Sequence, residues 1–148
     1  MGHCIKAIIG KREDVCKISE DWVQAKLIEL PQGFGMVPMT ARLLEDVEEL
    51  MEPSEIEDRL GLDGLDGAVV CMLEQYSFRT KLAYVETEYF GGYGTQGGVL
   101  YENGREKIPP QTGSGTINVL LKELGVRRRP NADEFDQLEL GKFRRTEE

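Results

Sequence analysis

The sequence predicts an α+β fold, a single domain in which helices cover an antiparallel or mixed β-sheet. Apolar runs rich in β-branched residues alternate with segments that repeat apolar residues at helical spacing. Turn signals at Pro31-Gln32-Gly33 and Asn103-Gly104 separate strand-like runs and predict hairpins. The 148 residues form one domain of ordinary size, with residues 127–148 as a charged segment expected to dock on it.

The chain opens with a predicted strand and a predicted helix. Cys4 to Ile9 is a short apolar run that predicts a buried strand, ended by Gly10. Residues 11–22 follow with apolar residues at helical spacing, which predicts an amphipathic helix. We expect Trp22, the only tryptophan, to anchor helix packing, because large aromatic side chains usually supply buried area.

A hairpin and a second helix come next. The runs 25–30 and 34–39 predict two strands, and Thr40 is placed to cap the helix after them. One face of this helix is a predicted buried stripe of Leu43, Leu44, Val47, Leu50 and Met51. The other face is acidic and is either a solvated surface or a docking surface for a basic partner; it carries Glu45, Asp46, Glu48 and Glu49.

Local capping signals organise residues 53–81. Ser54 and Glu57 form a capping box for a short helix, and Asp66 caps a longer one. The intervening residues 62–67 lack the ligand spacing of a calcium loop and predict a linker. The longer helix has an apolar stripe of Val69, Met72, Leu73 and Tyr76.

The second half of the chain is predicted as a central hairpin followed by a helix. Leu82 to Gly104 contains two strand-like runs around a glycine-rich bend. Pro109 and Pro110 predict that the chain then leaves the sheet, because proline donates no hydrogen bond. Thr116 or Ser114 is expected to cap the last long helix, and Gly125 followed by Val126 predicts a Schellman end.

Composition excludes several classes of function. A net charge of −9 repels nucleic acid and anionic membranes on average, and it serves either solubility or the attraction of a basic protein partner. No apolar run is long enough to span a membrane, and no leader is recognisable, which predicts a cytoplasmic protein. The three cysteines are widely spaced and only one histidine is present, so we expect mostly buried reduced thiols, with no cofactor and no metal.

The candidate binding site lies in the central hairpin. Glu86 and Glu88 alternate on one face of the predicted strand, so their side chains begin roughly 7 Å apart. Two unpaired carboxylates this close raise each other's pKa, which suits acid–base chemistry or the binding of a divalent metal ion. Tyr89 and the amide of Gln96 complete the predicted site. The alternative is that the glutamates form a solvated face and the glycines a bulge or bend.

No catalytic residue can be assigned from the sequence. A serine or cysteine nucleophile needs a base, and the single histidine, His3, is at the chain start. The glycine-rich bend matches neither common phosphate-loop pattern.

Four segments resemble a family of small bacterial proteins that has no assigned activity. The segments are Glu29 to Phe34, Ala83 to Gly92 with Gly94 and Gln96, Ile117-Asn118 leading to Val126, and Asp133 to Asp136 leading to Gly141. Members of the family often carry a histidine where this chain has Phe143 or Arg144. In their small size, acidity and lack of a catalytic signature, these proteins are similar in character to immunity proteins of bacterial toxin systems.

The acidic residues of the C-terminal segment extend the site hypothesis. Asp133, Glu134 and Asp136 could fold back beside Glu86 and Glu88 and complete an acidic pocket, screened by the arginines at 127–129. The alternative is structural docking of Phe135 and Leu138 on the sheet.

Two functions therefore follow from the sequence. The first is a binding or inhibitory module, of the immunity-protein kind, that uses an acidic surface against a basic partner protein. The second is a small enzyme or ligand-binding protein with a carboxylate pocket at Glu86 and Glu88. The sequence assigns neither a substrate nor an oligomeric state.

Overall fold

A computed structural model describes residues 3–52, 62, 65–90, 93–128, 130–138, 140 and 146. Within these residues the chain forms one antiparallel sheet of six strands, in the order β2-β3-β1-β4-β5-β6. The strands are β1 His3–Lys11, β2 Ile28–Leu30, β3 Phe34–Pro38, β4 Lys81–Phe90, β5 Tyr93–Glu102 and β6 Arg105–Thr112. This confirms the predicted α+β fold and selects the antiparallel form of the sheet.

Helices cover both faces of the sheet. They are α1 Arg12–Asp21, α2 Ala41–Leu50, α3 Gly67–Tyr76, α4 Thr116–Leu124 and the short α5 Glu134–Gln137. One apolar core lies between the sheet and α1, α2 and α3, and it includes Leu82 and Tyr84. A second core lies between the other face and α4 with α5, and it includes Ala83 and Val85. The central strand β4 therefore contributes side chains to both cores, which explains its unbroken apolar run from Leu82 to Val85.

The first strand is longer than predicted. Gly10 does not end it but lies inside it, paired with Gly35 on one side and Leu82 on the other. A β-carbon at Gly10 would lie 2.7 Å from the Leu82 side chain and 3.2 Å from that of Val15. The glycine therefore makes room for the Leu82 side chain of β4 and the Val15 side chain of α1, and it does not mark a chain reversal.

The predicted anchor role of Trp22 is confirmed. Trp22 follows α1 and packs, partly buried, against the first core. Its Nε1 donates a hydrogen bond to Tyr76 Oη of α3 at 3.1 Å, and this hydroxyl donates to Asp21 Oδ2 at 2.6 Å. The three side chains join the end of α1 to the end of α3.

Two predicted helix caps are confirmed in atomic detail. Thr40 Oγ1 accepts from the Leu43 amide at 3.3 Å, and Asp66 Oδ1 accepts from the Val69 amide at 3.0 Å. The capping box at residues 54 and 57 lies outside the described residues. Leu50 was expected in the buried stripe of α2, but it is 73% exposed because it lies at the last residue of the helix.

Pro109 and Pro110 contradict the prediction that the chain leaves the sheet. Both lie in β6, which is the last strand of the described sheet and pairs there with β5. A proline is compatible with an edge strand because one side of such a strand needs no donor for the sheet. The pairing also shifts register around Leu100, opposite Ile108, just before the prolines.

The last long helix begins without the predicted cap and ends as predicted. Neither Ser114 nor Thr116 caps α4; its N-cap is Gly115, which has no side chain to accept a hydrogen bond. At the other end Gly125 has a φ of 105°, and the Val126 amide donates to the Leu121 carbonyl at 3.0 Å. These are the left-handed residue and the long bond of a Schellman motif.

Burial and the hydrogen bond to Asp21 raise the pKa of Tyr76 to about 12. Because the neutral phenol is favoured in the folded state, its stabilisation is complete below the unfolded pKa of about 10 and is lost as pH rises towards 12. We expect the free energy of unfolding of the wild type to fall across this interval, measured by urea denaturation at each pH. Tyr76→Phe should show a smaller fall, and an identical fall in the two proteins would contradict this assignment.

Candidate functional site

One face of β4 packs against α1, α2 and α3. Glu86 is the first polar residue after the apolar part of this face. Its side chain follows Tyr84 on this face and is only 9% exposed. Tyr84 Oη donates a hydrogen bond to Glu86 Oε2 at 2.6 Å. Lys6 on β1 and Gly97 on β5 are the residues directly opposite Glu86. The carboxylate is therefore held by a buried phenol and flanked by a lysine on the neighbouring strand.

Glu86 and Glu88 line one groove, as their alternation predicts. The groove has a volume of about 190 Å³ and is also lined by Lys6, Thr95 and Thr112. Glu88 lies beyond Glu86 along the strand and is exposed to solvent. One carboxylate is thus buried and the other solvated, so the two are chemically different.

Gln96 and Tyr89 lie on the opposite face of the sheet from the two glutamates. Gln96 pairs with Thr87, so its side chain shares the face of α4 rather than that of Glu86. Its Nε2 donates to Tyr89 Oη at 2.9 Å, and its Oε1 accepts from the Ile117 amide at 2.9 Å. Gln96 therefore caps α4 from a neighbouring strand, where Gly115 has no side chain to do so. Gln96 also lines the groove with the two glutamates, but its side-chain amide is bonded to Tyr89 and Ile117 on the other face of the sheet.

The acidic residues of the C-terminal segment also lie away from the glutamates. Short helix α5 packs against α4, on the second core. Asp133 caps α5 by accepting from the Asp136 amide at 2.9 Å, and it accepts from Asn118 Nδ2 at 3.0 Å. Glu134 is buried in the same helix and Asp136 is exposed. The predicted acidic pocket is not formed, because the sheet separates α5 from Glu86 and Glu88.

The alternative prediction, that Phe135 and Leu138 of the C-terminal segment dock on the sheet, is confirmed. Leu138 and Leu140 are fully buried in the second core, and Phe135 packs against it. The Phe135 amide also donates to Asn118 Oδ1 at 2.9 Å. A single asparagine on α4 thus binds both the cap and the first turn of α5. Residues 143 and 144, where the resemblance predicts a histidine that this chain lacks, lie outside the described residues.

The predicted acidic surface of α2 is present and extends to the start of α3. We define the acidic face as Glu45, Asp46, Glu48, Glu49 and Asp66. Glu48 has a raised pKa, caused first by a hydrogen bond and charge repulsion from Asp66, then by slight desolvation and by Glu45. Like charges are therefore close enough here to oppose one another's ionisation. Sequence alone did not show that Asp66, far along the chain, joins this surface.

The cysteines are more accessible than predicted. Cys4, Cys16 and Cys71 are free thiols, with Cys4 exposed and the other two half-buried. The expectation of mostly buried thiols is wrong, because Cys4 is on the polar face of β1 opposite Glu88.

Among the described residues, no group of three or more histidine, cysteine or acidic side chains could hold a metal ion. No helix in that part of the chain is long and apolar enough to cross a membrane.

Gln96→Ala tests whether Gln96 has a structural role. The change removes the acceptor for the Ile117 amide, and we expect it to lower the free energy of unfolding by about 1–2 kcal/mol. Gln96→Glu keeps a carboxyl acceptor at the start of α4 and should retain most of this stability. Gln111→Ala, at an exposed position of β6, is the matched control in urea denaturation. Equal midpoints for Gln96→Ala and the control would show that the cap is not stabilising.

Comparison with known proteins returned no match. No family model fits the chain, and neither a curated protein nor a solved structure is significantly similar to it. The resemblance based on four sequence motifs therefore stays a prediction.

Proposed function

We propose that this protein is a binding module of the inhibitory, immunity-like kind, which recognises a basic protein partner through its acidic face. The observation that supports this most directly is the acidic face itself, where Asp66 at the start of α3 lies beside Glu48 of α2. The pKa of Glu48 is raised first by the hydrogen bond with Asp66 and then by repulsion from the charges of Asp66 and Glu45. A basic partner would supply the missing positive charge and relieve this repulsion.

The charges around the acidic face are consistent with such a partner. Arg42 is the only cation within α2, and the whole chain carries a net charge of −9. Leu50, with 73% of its surface exposed, adds an apolar side chain at the end of the same helix. Charged residues around an exposed apolar side chain are a common arrangement in protein interfaces, where charge guides the encounter and apolar contact slows dissociation.

An inhibitory role follows from the nature of basic surfaces. Many proteins use clustered lysines and arginines to attract anionic substrates such as nucleic acids. An acidic protein bound to such a surface competes with the substrate for the same positive charges. The chain itself needs no catalytic group for this function.

The acidic face can be tested by removing charge without changing side-chain size. Glu45→Gln with Glu49→Gln should weaken binding to a captured basic partner by about tenfold or more, equivalent to about 1.4 kcal/mol. The partner is isolated by affinity capture from extract of the source cell at low salt and released at high salt. Affinity is then measured by calorimetry with the purified partner.

The control variant removes two acidic charges elsewhere, by Glu20→Gln with Asp136→Asn, both at exposed positions. It should bind within about twofold of the wild type, because distant exposed charges are screened at physiological salt. Capture of no basic protein at low salt would contradict the proposal. Equal losses in both variants would assign binding to net charge rather than to the acidic face.

A second candidate is a small enzyme or ligand-binding protein with a carboxylate pocket at Glu86 and Glu88. The favouring observation is a buried carboxylate that lines a groove with a lysine on the adjacent strand. Opposite charges at this spacing suit a small zwitterion, whose ammonium group would contact the glutamates and whose carboxylate would contact Lys6. At about 190 Å³ the groove is smaller than ordinary ligand pockets, so the ligand would have few atoms.

Glu86→Gln distinguishes the second candidate from a structural role. The amide can still accept from Tyr84 Oη, so the fold should persist while charge-dependent binding is lost. Nuclear magnetic resonance titration with glycine and with ammonium ion should shift groove residues of the wild type, and Glu86→Gln should weaken the response about tenfold. Glu20→Gln is the control. A variant that only melts at lower temperature and responds as the wild type would reject this candidate.

A further inference from the structure

A larger cleft lies at the other end of the sheet from the Glu86 groove, where β1 ends at Lys11. Its volume is about 860 Å³. The first turn of α1, the connection between β2 and β3, and the chain leaving α4 form its walls. We propose that this cleft binds a small organic anion that carries two or more negative charges on phosphate or carboxylate groups. This site is independent of the acidic face and of the function proposed for it.

The cleft concentrates positive charge in an acidic protein. Its lining includes Lys11, Arg12, Arg127 and Arg128 against a single carboxylate, Glu13. Arg12 is already paired with Glu29, whose Oε1 lies 2.9 Å from its Nη1. Within the described part of the chain, no salt bridge joins the side chain of Lys11, Arg127 or Arg128 to an acidic residue.

A polar clamp fixes the backbone of Arg127 beside the cleft. Gln32 Oε1 accepts from the Arg127 amide at 2.8 Å, and Gln32 Nε2 donates to the Arg127 carbonyl at 2.9 Å. Gln32 adopts a left-handed conformation with φ of 63°, which is uncommon for a residue other than glycine. The clamp joins the β2–β3 connection to the chain after α4, so it holds the Arg127 backbone at the edge of the cleft.

The lining and size of the cleft favour an organic anion over a bare inorganic ion. Phe34 and Leu124 lie at the apolar base of the cleft, where each exposes only a small part of its surface. Gln137 adds an amide on the α5 side. The volume falls within the roughly 300–1,000 Å³ range of small-molecule sites, far above the size of one phosphate ion. Arginine guanidinium groups make paired hydrogen bonds with both phosphate and carboxylate oxygens. The cations therefore favour ligands with negative charge, and the volume of the cleft limits the size of the ligand.

Calorimetric titration with inorganic phosphate, pyrophosphate, citrate and ATP tests the proposal. We expect saturable binding of at least one multiply charged probe with a Kd below about 1 mM, and weaker binding of inorganic phosphate. A comparison of the Kd values of pyrophosphate and citrate shows whether the cleft prefers phosphate or carboxylate groups. A comparison of ATP with pyrophosphate shows whether the organic part of the ligand adds to the affinity.

Paired variants locate the bound anion. Arg127→Ala with Arg128→Ala should raise the Kd by about tenfold or more, because charge-assisted hydrogen bonds are lost. Arg42→Ala with Arg105→Ala removes two exposed arginines outside the cleft and should change the Kd less than about twofold. Gln32→Ala keeps every cation but releases the clamp, and it should weaken binding by an intermediate factor. Circular dichroism verifies that each variant is folded.

Two results would overturn the proposal. One is the absence of saturable binding by every probe at millimolar concentration. The other is equal weakening in the two arginine double variants, which would show binding to overall charge. If the Arg127–Arg128 alanine variant does not fold, Arg127→Lys with Arg128→Lys keeps the charge and loses the guanidinium geometry. This variant should still weaken binding severalfold, and an unchanged Kd would also count against the site.

Discussion

The position of β4 between β1 and β5 is the constraint on which the rest of the structure depends. It pairs with both neighbours along nearly its whole length, so the register of one strand sets that of three. Because side chains alternate between the two faces of a sheet, this register decides which residues meet α1 to α3 and which meet α4. A slip of one residue would move Tyr84 into the second core and Glu86 to the face covered by α4. The cost of burying the Glu86 carboxylate among apolar side chains opposes such a slip.

The same alternation separates structural from chemical roles among the hairpin residues. Thr87 and Gln96 share the face of α4, where Thr87 Oγ1 accepts from the Ile5 amide and Gln96 caps the helix. Glu86 and Glu88 share the other face, where the helices end and a groove remains. Helix α4 also packs very closely on its face of the hairpin, since a β-carbon at Gly98 would lie 2.6 Å from the Leu120 side chain of this helix. The hairpin is thus a packing element on one face and a candidate binding surface on the other.

Interactions between near neighbours in the chain were predictable, and those between distant residues were not. The caps at Thr40 and Asp66 and the end of α4 at Gly125 each depend on residues within one helical turn. By contrast, Gln96 caps a helix that begins 20 residues later, and no local pattern indicates this. The edge position of β6, which permits Pro109 and Pro110, depends on the order of strands in the sheet. Neither the pairing of Gln96 with Thr87 nor the meeting of Lys11, Gln32 and Arg127 follows from the spacing of these residues in the sequence.

The net charge of −9 gives the average behaviour of the surface but not the character of each site. At physiological salt, exposed charges more than about 8 Å apart are largely screened from each other. An anion inside the cleft would therefore respond mainly to Lys11, Arg127 and Arg128, and little to the distant carboxylates. A long polyanion such as nucleic acid would extend beyond the cleft and meet the acidic remainder of the surface. The acidic face of α2 and the basic cleft therefore differ in local charge although they lie on one chain, because each is governed mainly by the charges nearest to it.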